Sequence, residues 1–180
     1  MKQLLKVVVI ILSIAYPFIV YWGLQHYRAS SLLPILFIII GLRWVAGSRT
    51  SERMVLIAIL ISLILITLTW GHLVGLKFYP VMVNLGLLIL FAGSLVFPPS
   101  IVERLARMRK PKLSPQGVVY TLKVTWMWSG FFVINGSLAG ITAVWASNEV
   151  WTLYNGLIAY LLIGFLAGGE WIVRRRVIRD

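Results

Sequence analysis

The sequence predicts an all-α membrane protein: a polytopic bundle of six transmembrane helices with a short amphipathic helix at the membrane surface. The 180 residues are 60% hydrophobic and 12% charged, and their mean hydropathy is +0.93. Soluble domains are usually about 45–50% apolar and about 25% charged. The apolar residues fall into runs of membrane-spanning length with short polar connections between them. The length indicates a single transmembrane domain over residues 1–180.

Six apolar runs approach or reach the length that a membrane-spanning helix needs. The predicted spans are residues 7–24, 32–47, 54–70, 79–97, 118–146 and 151–173. The first run follows Lys2 and Lys6 like a signal peptide, but no small-residue cleavage pattern comes after it, so we expect an uncleaved span. Pro17 lies near the middle of this span, and the carbonyl that it leaves unbonded needs a donor from a neighbouring helix or a Ser or Thr.

Two other spans have features that constrain their geometry. The second run places Pro34 in its first turn, where proline is best tolerated. The fifth run is longer than a bilayer core of roughly 30 Å requires, so that helix must tilt, kink or extend beyond the membrane.

The long polar interruption at residues 98–117 carries the predicted surface helix. Pro98 and Pro99 end the fourth span. Ser100 stands three residues before Glu103, which is the capping-box pattern of a helix start. Apolar residues then follow at helical spacing among four cations: Arg104, Arg107, Arg109 and Lys110. Such a helix fits the headgroup layer against anionic lipid or a docked partner, and the alternative is a solvated helix whose charge only fixes orientation.

The distribution of basic residues predicts that both termini are cytoplasmic. In that orientation fourteen of the seventeen Lys and Arg lie on the inner side, whereas only Arg28 and Lys77 lie on the outer side. Lys123 lies near the inner end of the fifth span. This asymmetry follows the positive-inside rule. Tryptophans are expected at both interfaces, the outer set being Trp22, Trp70, Trp145 and Trp151 and the inner set Trp44, Trp126 and Trp171.

Polar and small residues in the last two spans are the candidates for function, because polar groups are costly in lipid. Asn135 has Trp128 seven residues before it and Thr142 seven residues after it, so one helix face carries all three. Either Asn135 bonds across a helix pair or it lines a ligand pocket. Tyr154 and Asn155 lie at the outer end of the sixth span. Glycines spaced by four along a helix let a neighbouring helix approach closely. Two such series occur, Gly136 with Gly140, and Gly156, Gly164 and Gly168 with Tyr160 between the first two.

The sequence offers little for catalysis, and we predict no catalytic residue, metal site or cofactor. Glu170 stands four residues before Arg174, which favours an ordinary helix pair. His26, His72 and Glu149 could bind a metal, but no spacing brings them together. The absence of cysteine excludes disulfides and thiolate chemistry. The net charge of +12 lies mostly at the ends of apolar runs, so anionic lipid is the expected partner rather than nucleic acid.

Residues 126–136, 149–156 and 169–176 resemble a group of small uncharacterised bacterial membrane proteins encoded beside aryl-polyene and related fatty-acid-type biosynthesis enzymes. More distantly, the chain resembles the intracellular septation protein A family in its Met-Lys-Gln start and in the Leu-Ser-Pro-Gln before the fifth span. The resemblance implies a multi-pass inner-membrane protein of the cell envelope with no established enzymatic activity. Tyr154-Asn155-Gly156 departs from the septation pattern, which tends to be charged there, and this favours a role in a lipid pathway.

These observations together predict a non-enzymatic inner-membrane protein that assists cell-envelope or polyene-lipid biogenesis by docking lipid or partner proteins. One alternative is a small transporter or flippase for a lipid-linked product, whose polar path would include Asn84 and Asn135. Another is a membrane-embedded lipid-modifying enzyme, for which paired acids and bases are nearly lacking. The expected partners are membrane lipids, anionic on the cytoplasmic face, with envelope or lipid-biosynthesis proteins as further candidates. The oligomeric state is left open.

Overall fold

The computed structural model describes residues 2–46 and 50–177, and all regular structure in these ranges is helical. Position 47 at the end of the predicted second span, and Arg49 and Arg179, lie outside the described residues. A π-helical turn, Tyr154–Ile158, connects the last two helices. The helices are α1 (Lys2–His26), α2 (Ala29–Ala46), α3 (Thr50–Trp70), α4 (His72–Val96), α5 (Ile101–Arg107), α6 (Pro115–Trp145), α7 (Asn148–Leu153) and α8 (Ala159–Val177).

Four described segments are long and apolar enough to cross a membrane: Arg53–Trp70, His72–Val96, Pro115–Trp145 and Asn148–Arg175. A shorter apolar stretch, Ala29–Leu42, lies in α2. Large apolar side chains cover the outside of the bundle, and Leu68 and Phe165 are 77% and 76% exposed. Such exposure is tolerated where the surrounding solvent is lipid. The chain is therefore a helical membrane protein.

Helix α4 is the centre of the bundle. It packs against α2, α3, α5 and α6, and its backbone accepts hydrogen bonds from side chains of α1 and α7. Helices α3 and α4 form a tight hairpin across the single residue Gly71, whose φ of +91° is in the left-handed region that favours glycine. The helix of the fourth span consequently begins at His72 rather than at residue 79, since the turn needs only one residue.

Two other helix starts also differ from the sequence predictions. Helix α2 begins at Ala29, so Pro34 lies in its second turn and not in its first. The last transmembrane segment begins at Asn148, because the Ser147 hydroxyl accepts a hydrogen bond from the Val150 amide and caps the helix there. The predicted spans contain only the apolar residues that would contact lipid. The helices are longer because they extend into the polar residues on either side of each apolar run.

The hydrophobic core joins α1, α2, α3 and α4 to Trp151 of α7. Trp151 is only 1% exposed, and its Nε1 donates a hydrogen bond of 3.2 Å to the Lys77 carbonyl. The prediction that Trp151 marks the outer interface is therefore wrong, because the indole packs inward against α4. Trp22, Trp70 and Trp145 are exposed, as interfacial tryptophans would be.

Candidate functional site

A chain of buried hydrogen bonds crosses the middle of the bundle. The Tyr154 hydroxyl donates to Asn135 Oδ1 at 2.9 Å, and Asn135 Nδ2 donates to Asn84 Oδ1 at 3.0 Å. Asn84 Nδ2 in turn donates to the Pro80 carbonyl at 2.9 Å. We call Asn84, Asn135, Tyr154 and Asn155 the polar cluster. The predicted interhelical bond of Asn135 is confirmed, and its partner is Asn84.

The glycines predicted at helix contacts differ in what they touch. At Gly136 a Cβ would lie 3.0 Å from the Asn84 Cβ, and at Gly140 it would lie 3.9 Å from Val81. At Gly156 it would lie 2.8 Å from the Phe18 ring. No atom lies within 4 Å of a Cβ at Gly164 or Gly168, and both are exposed among the described residues. The predicted contact is therefore wrong for these two within a single chain, because α1 meets this face at Gly156 and Tyr160 but no described helix reaches it further along α8.

Two tyrosine hydroxyls bond the carbonyls that mid-helix prolines leave free. Pro17 has no amide hydrogen for the Ser13 carbonyl, which instead accepts a 2.9 Å bond from the Tyr160 hydroxyl. Pro80 likewise leaves the Leu76 carbonyl free, and the Tyr16 hydroxyl donates to it at 2.8 Å. The prediction that a neighbouring helix supplies a donor for the carbonyl that Pro17 leaves free is confirmed.

The π-helical turn carries Tyr154 and Asn155, the two members of the polar cluster that follow α7. The Ala159 amide bonds to the Tyr154 carbonyl five residues back, which is the π-helical pattern. Asn155 Nδ2 donates to the Trp151 carbonyl at 2.9 Å and to Thr142 Oγ1 at 3.2 Å. Single π-helical turns occur frequently at functional sites. Nothing in residue type or spacing predicts this turn.

A central cavity of about 180 Å³ opens beside the polar cluster, between α1, α4, α6 and α8. Its polar lining includes Asn84, Asn135 and Asn155, and Pro17 and Pro80 line it as well. Apolar side chains such as Leu87, Phe132 and Ile163 form the rest of its wall. Asn135 therefore bonds across a helix pair and also lines a cavity, and the interpretation that a ligand binds there stays a prediction.

Trp128 belongs to a different environment from Asn135. Its ring lies 5.7 Å from the rings of both Phe131 and Phe132, and Phe132 also contacts Phe91. The helix face that the spacing of seven predicts for Trp128 and Asn135 thus divides into an aromatic part and a polar part.

Sequence reasoning missed a row of buried hydroxyl groups where α6 faces inward. They belong to Thr121, Thr125 and Ser129, and each bonds to a carbonyl of its own helix.

A larger groove of about 930 Å³ lies between α6 and α8, and we call it the inner groove. The Tyr120 hydroxyl bridges the two helices by donating to the Glu170 carbonyl and carboxylate at 3.1 and 3.2 Å. Glu170 Oε1 lies 3.9 Å from Arg174 Nε, so the predicted pair within the helix is confirmed. The groove is lined by Pro115, Gln116, Val119, Tyr120, Lys123, Val124, Met127, Phe165, Leu166, Gly169, Glu170 and Val173.

The predicted surface helix forms, but it is shorter than the sequence indicates. Two of its cations, Arg104 and Arg107, bond to other groups of the protein. Ser100 Oγ accepts a hydrogen bond from the Glu103 amide, as the capping box predicts. Glu103 pairs with Arg107 at 2.7 Å, and Arg104 donates to the carbonyls of Phe97 and Pro99. Helix α5 ends at Arg107, so the expectation that the helix reaches Arg109 and Lys110 is wrong. Both of these residues are exposed just beyond it.

No group of three His, Asp or Glu side chains within the described ranges could hold a metal ion. Comparison of the chain with known proteins finds no matching family model, no matching curated protein and no matching solved structure.

Proposed function

We propose that this chain is a six-span inner-membrane protein that binds an anionic lipid in the inner groove between α6 and α8. It would act without catalysis, as a lipid-binding helper in cell-envelope or polyene-lipid biogenesis, the setting that the sequence resemblance implies. The observation that carries the proposal is a mostly apolar open groove between two helices, with a lysine, Lys123, in its wall and Glu170 beside Arg174 at its edge.

The charge distribution supports the orientation in this proposal. Contacts such as Gly136 with Asn84 and Tyr120 with Glu170 fit helices that run antiparallel to their neighbours. In that arrangement Arg28 and Lys77 lie at one end of the bundle, and the positive-inside rule assigns the opposite, basic end to the cytoplasm. At about 1.5 Å per residue, α1 with 25 residues is long enough to cross a core of roughly 30 Å, and α2 with 18 residues comes close to that length, so the proposal counts both as spans. The cations of the basic end whose side chains the structure describes are Arg53, Arg104, Arg107, Arg109, Lys110, Lys112, Lys123, Arg174 and Arg175.

Charge, rather than apolar burial, must give the groove its selectivity. An acyl chain leaves one apolar environment for another when it moves from the bilayer to the groove, so the hydrophobic effect contributes little. A cation near the membrane surface attracts anionic lipid by about 1 kcal/mol. Lys123 is exposed at the groove, and Arg174 lies beside Glu170 at the same end. We therefore place the lipid phosphate at Lys123 and one acyl chain against Met127, Phe165 and Leu166, which lie further from the basic end.

A second lateral groove offers a natural control. It lies between α2 and α3, has a volume of about 570 Å³, and is lined by apolar side chains together with Gly41. Among the residues whose side chains the structure describes, no cation lines this groove, and the described cation Arg53 lies 5.2 Å from the ring of Trp44 in its wall. We therefore expect this groove to prefer anionic lipid less than the inner groove does. Gly41 and Gly169 are matched positions, because both are exposed and a Cβ added at either would have no other atom within 4 Å.

The test compares Gly169→Trp, which fills the inner groove, with Gly41→Trp, which fills the control groove. Native mass spectrometry of the purified variants should show several-fold less retained anionic phospholipid for Gly169→Trp and no change for Gly41→Trp. Lys123→Gln should lower the preference for anionic over neutral lipid by about fivefold, which corresponds to about 1 kcal/mol. Lys112→Gln removes one charge outside the groove and should leave the preference unchanged. Equal lipid retention in Gly169→Trp and the parent would contradict the proposal.

A further inference from the structure

The hydrogen-bond partners of Asn155 fix the direction of its side-chain amide. The Trp151 carbonyl can only accept, so the amide nitrogen must face it. The Thr142 hydroxyl donates its hydrogen to the Ala139 carbonyl, so it accepts the second N–H of Asn155. Both amide hydrogens are therefore used. Asn155 Oδ1 has no hydrogen-bond partner among the described residues, although Asn155 is 4% exposed and lines the central cavity.

The same reasoning identifies two donors on Asn84 and Asn135, which also line the cavity. The Pro80 carbonyl fixes the nitrogen of Asn84, and the Asn84 oxygen then fixes the nitrogen of Asn135. Each nitrogen carries two hydrogens and uses one in these bonds. One N–H of Asn84 and one of Asn135 are thus left over within the described part of the chain, and both side chains line the cavity. These three amides therefore leave two donors and one acceptor at the cavity, whose wall also carries the hydroxyl groups of Ser13, Tyr16, Tyr79 and Tyr160.

We propose that the central cavity binds the hydroxyl group of a small uncharged alcohol. A hydroxyl accepts two hydrogen bonds and donates one, which complements the two amide N–H groups and Asn155 Oδ1. The residues that line the cavity are uncharged throughout the described ranges. An ion would therefore lose its hydration without a counter-charge, which strongly disfavours charged ligands at this depth.

The apolar part of the cavity wall favours an alcohol over water as the bound molecule. The volume of about 180 Å³ equals that of about six water molecules. A buried water needs two to four polar partners, and those beside Leu87, Phe132 and Ile163 would have few. One molecule with a hydroxyl and a short apolar body satisfies both parts of the wall. This site is separate from the inner groove and does not depend on lipid binding there.

The test uses two fluorinated probes of similar shape, fluorobutanol and fluoropentane, which differ in a hydroxyl against a methyl group. Fluorine NMR of the protein in nanodiscs should show a saturable bound signal for fluorobutanol that empty nanodiscs of the same lipids lack. Fluoropentane should show only partition into lipid. Asn155→Leu should weaken fluorobutanol binding by about tenfold or more, because the buried acceptor is lost. Thr125→Val removes a buried hydroxyl outside the cavity and should bind as the parent does.

Ile163→Phe is a second variant that does not disturb the hydrogen bonds. Ile163 is half-buried in the cavity wall, so a phenyl ring there fills the space from the lipid side and should abolish saturable binding. The proposal is overturned if fluorobutanol shows no saturable site in the parent protein, since water alone would then satisfy the amides. It is also overturned if fluoropentane binds equally well, or if Ile163→Phe keeps the full fluorobutanol signal.

Discussion

Replacing Gly136 with leucine should sharply lower the melting temperature of the purified protein, whereas the same change at Gly164 should leave it nearly unchanged. The two changes gain the same helix propensity, about 1 kcal/mol. At Gly136, however, even a Cβ would lie 3.0 Å from the Asn84 Cβ, so a leucine must push α6 away from α4. Overpacking of this kind usually costs about 1–3 kcal/mol, and here it also breaks the bond between Asn135 and Asn84.

Thermal unfolding in detergent, followed by circular dichroism, measures this difference. Gly164→Leu serves as the matched control, since the added side chain enters open space on the exposed face of α8. Equal melting temperatures for the two variants would mean that α4 and α6 do not pack closely at Gly136.

Tyr16→Phe should destabilise the protein by about 1–3 kcal/mol, because the Leu76 carbonyl is then buried without a donor. The cause can be isolated by also changing Pro80 to alanine, which restores the backbone amide that this carbonyl lacks. In the Pro80→Ala background the loss of the Tyr16 hydroxyl should therefore have a much smaller effect. This double-mutant cycle measures the coupling between hydroxyl and proline directly.

Chemical denaturation of the four proteins of this cycle is the measurement. The exposed Tyr27 is the control, and Tyr27→Phe should leave stability unchanged in either background. If Tyr16→Phe destabilises both backgrounds equally, the hydroxyl does not compensate for Pro80. The same design applies to Tyr160 and Pro17, where the carbonyl belongs to Ser13.

The sequence predicts well which backbone groups need a hydrogen-bond partner. It predicts poorly which residue supplies that partner when the residue is distant in the chain. Pro17 has to leave a carbonyl that needs a donor, and this follows from the chemistry of proline alone. The donor itself, Tyr160, is 147 positions away along the chain, and only the packing of α8 against α1 selects it. The capping function of Ser100 is likewise predictable because its partner amide is three residues away.

The same distinction explains the errors. Spacing by four places Gly164 and Gly168 on one face of α8, but it cannot say whether that face meets a helix or lipid. The sequence also does not show that the Arg104 guanidinium bonds to the carbonyls of Phe97 and Pro99, and its predicted contact with lipid or a partner stays a prediction. The inner groove and the central cavity arise from the relative positions of several helices, which no single stretch of sequence encodes.

The proposed function depends on one central claim, that the basic end of the bundle faces the cytoplasm. Only in that orientation does Lys123 meet the anionic lipids of the inner leaflet. Because the chain has no cysteine, a single introduced cysteine is the only thiol that a maleimide can label. Exposed positions at the two ends of the bundle are Ser147 and Lys112.

Labelling of single-cysteine variants in intact spheroplasts with a membrane-impermeant maleimide tests this claim most directly. We expect Ser147→Cys to be labelled in intact spheroplasts, and Lys112→Cys to be labelled only after the membrane is opened. Labelling of Lys112→Cys before lysis, with Ser147→Cys protected, would contradict the orientation and with it the assignment of the groove to anionic lipid of the inner leaflet.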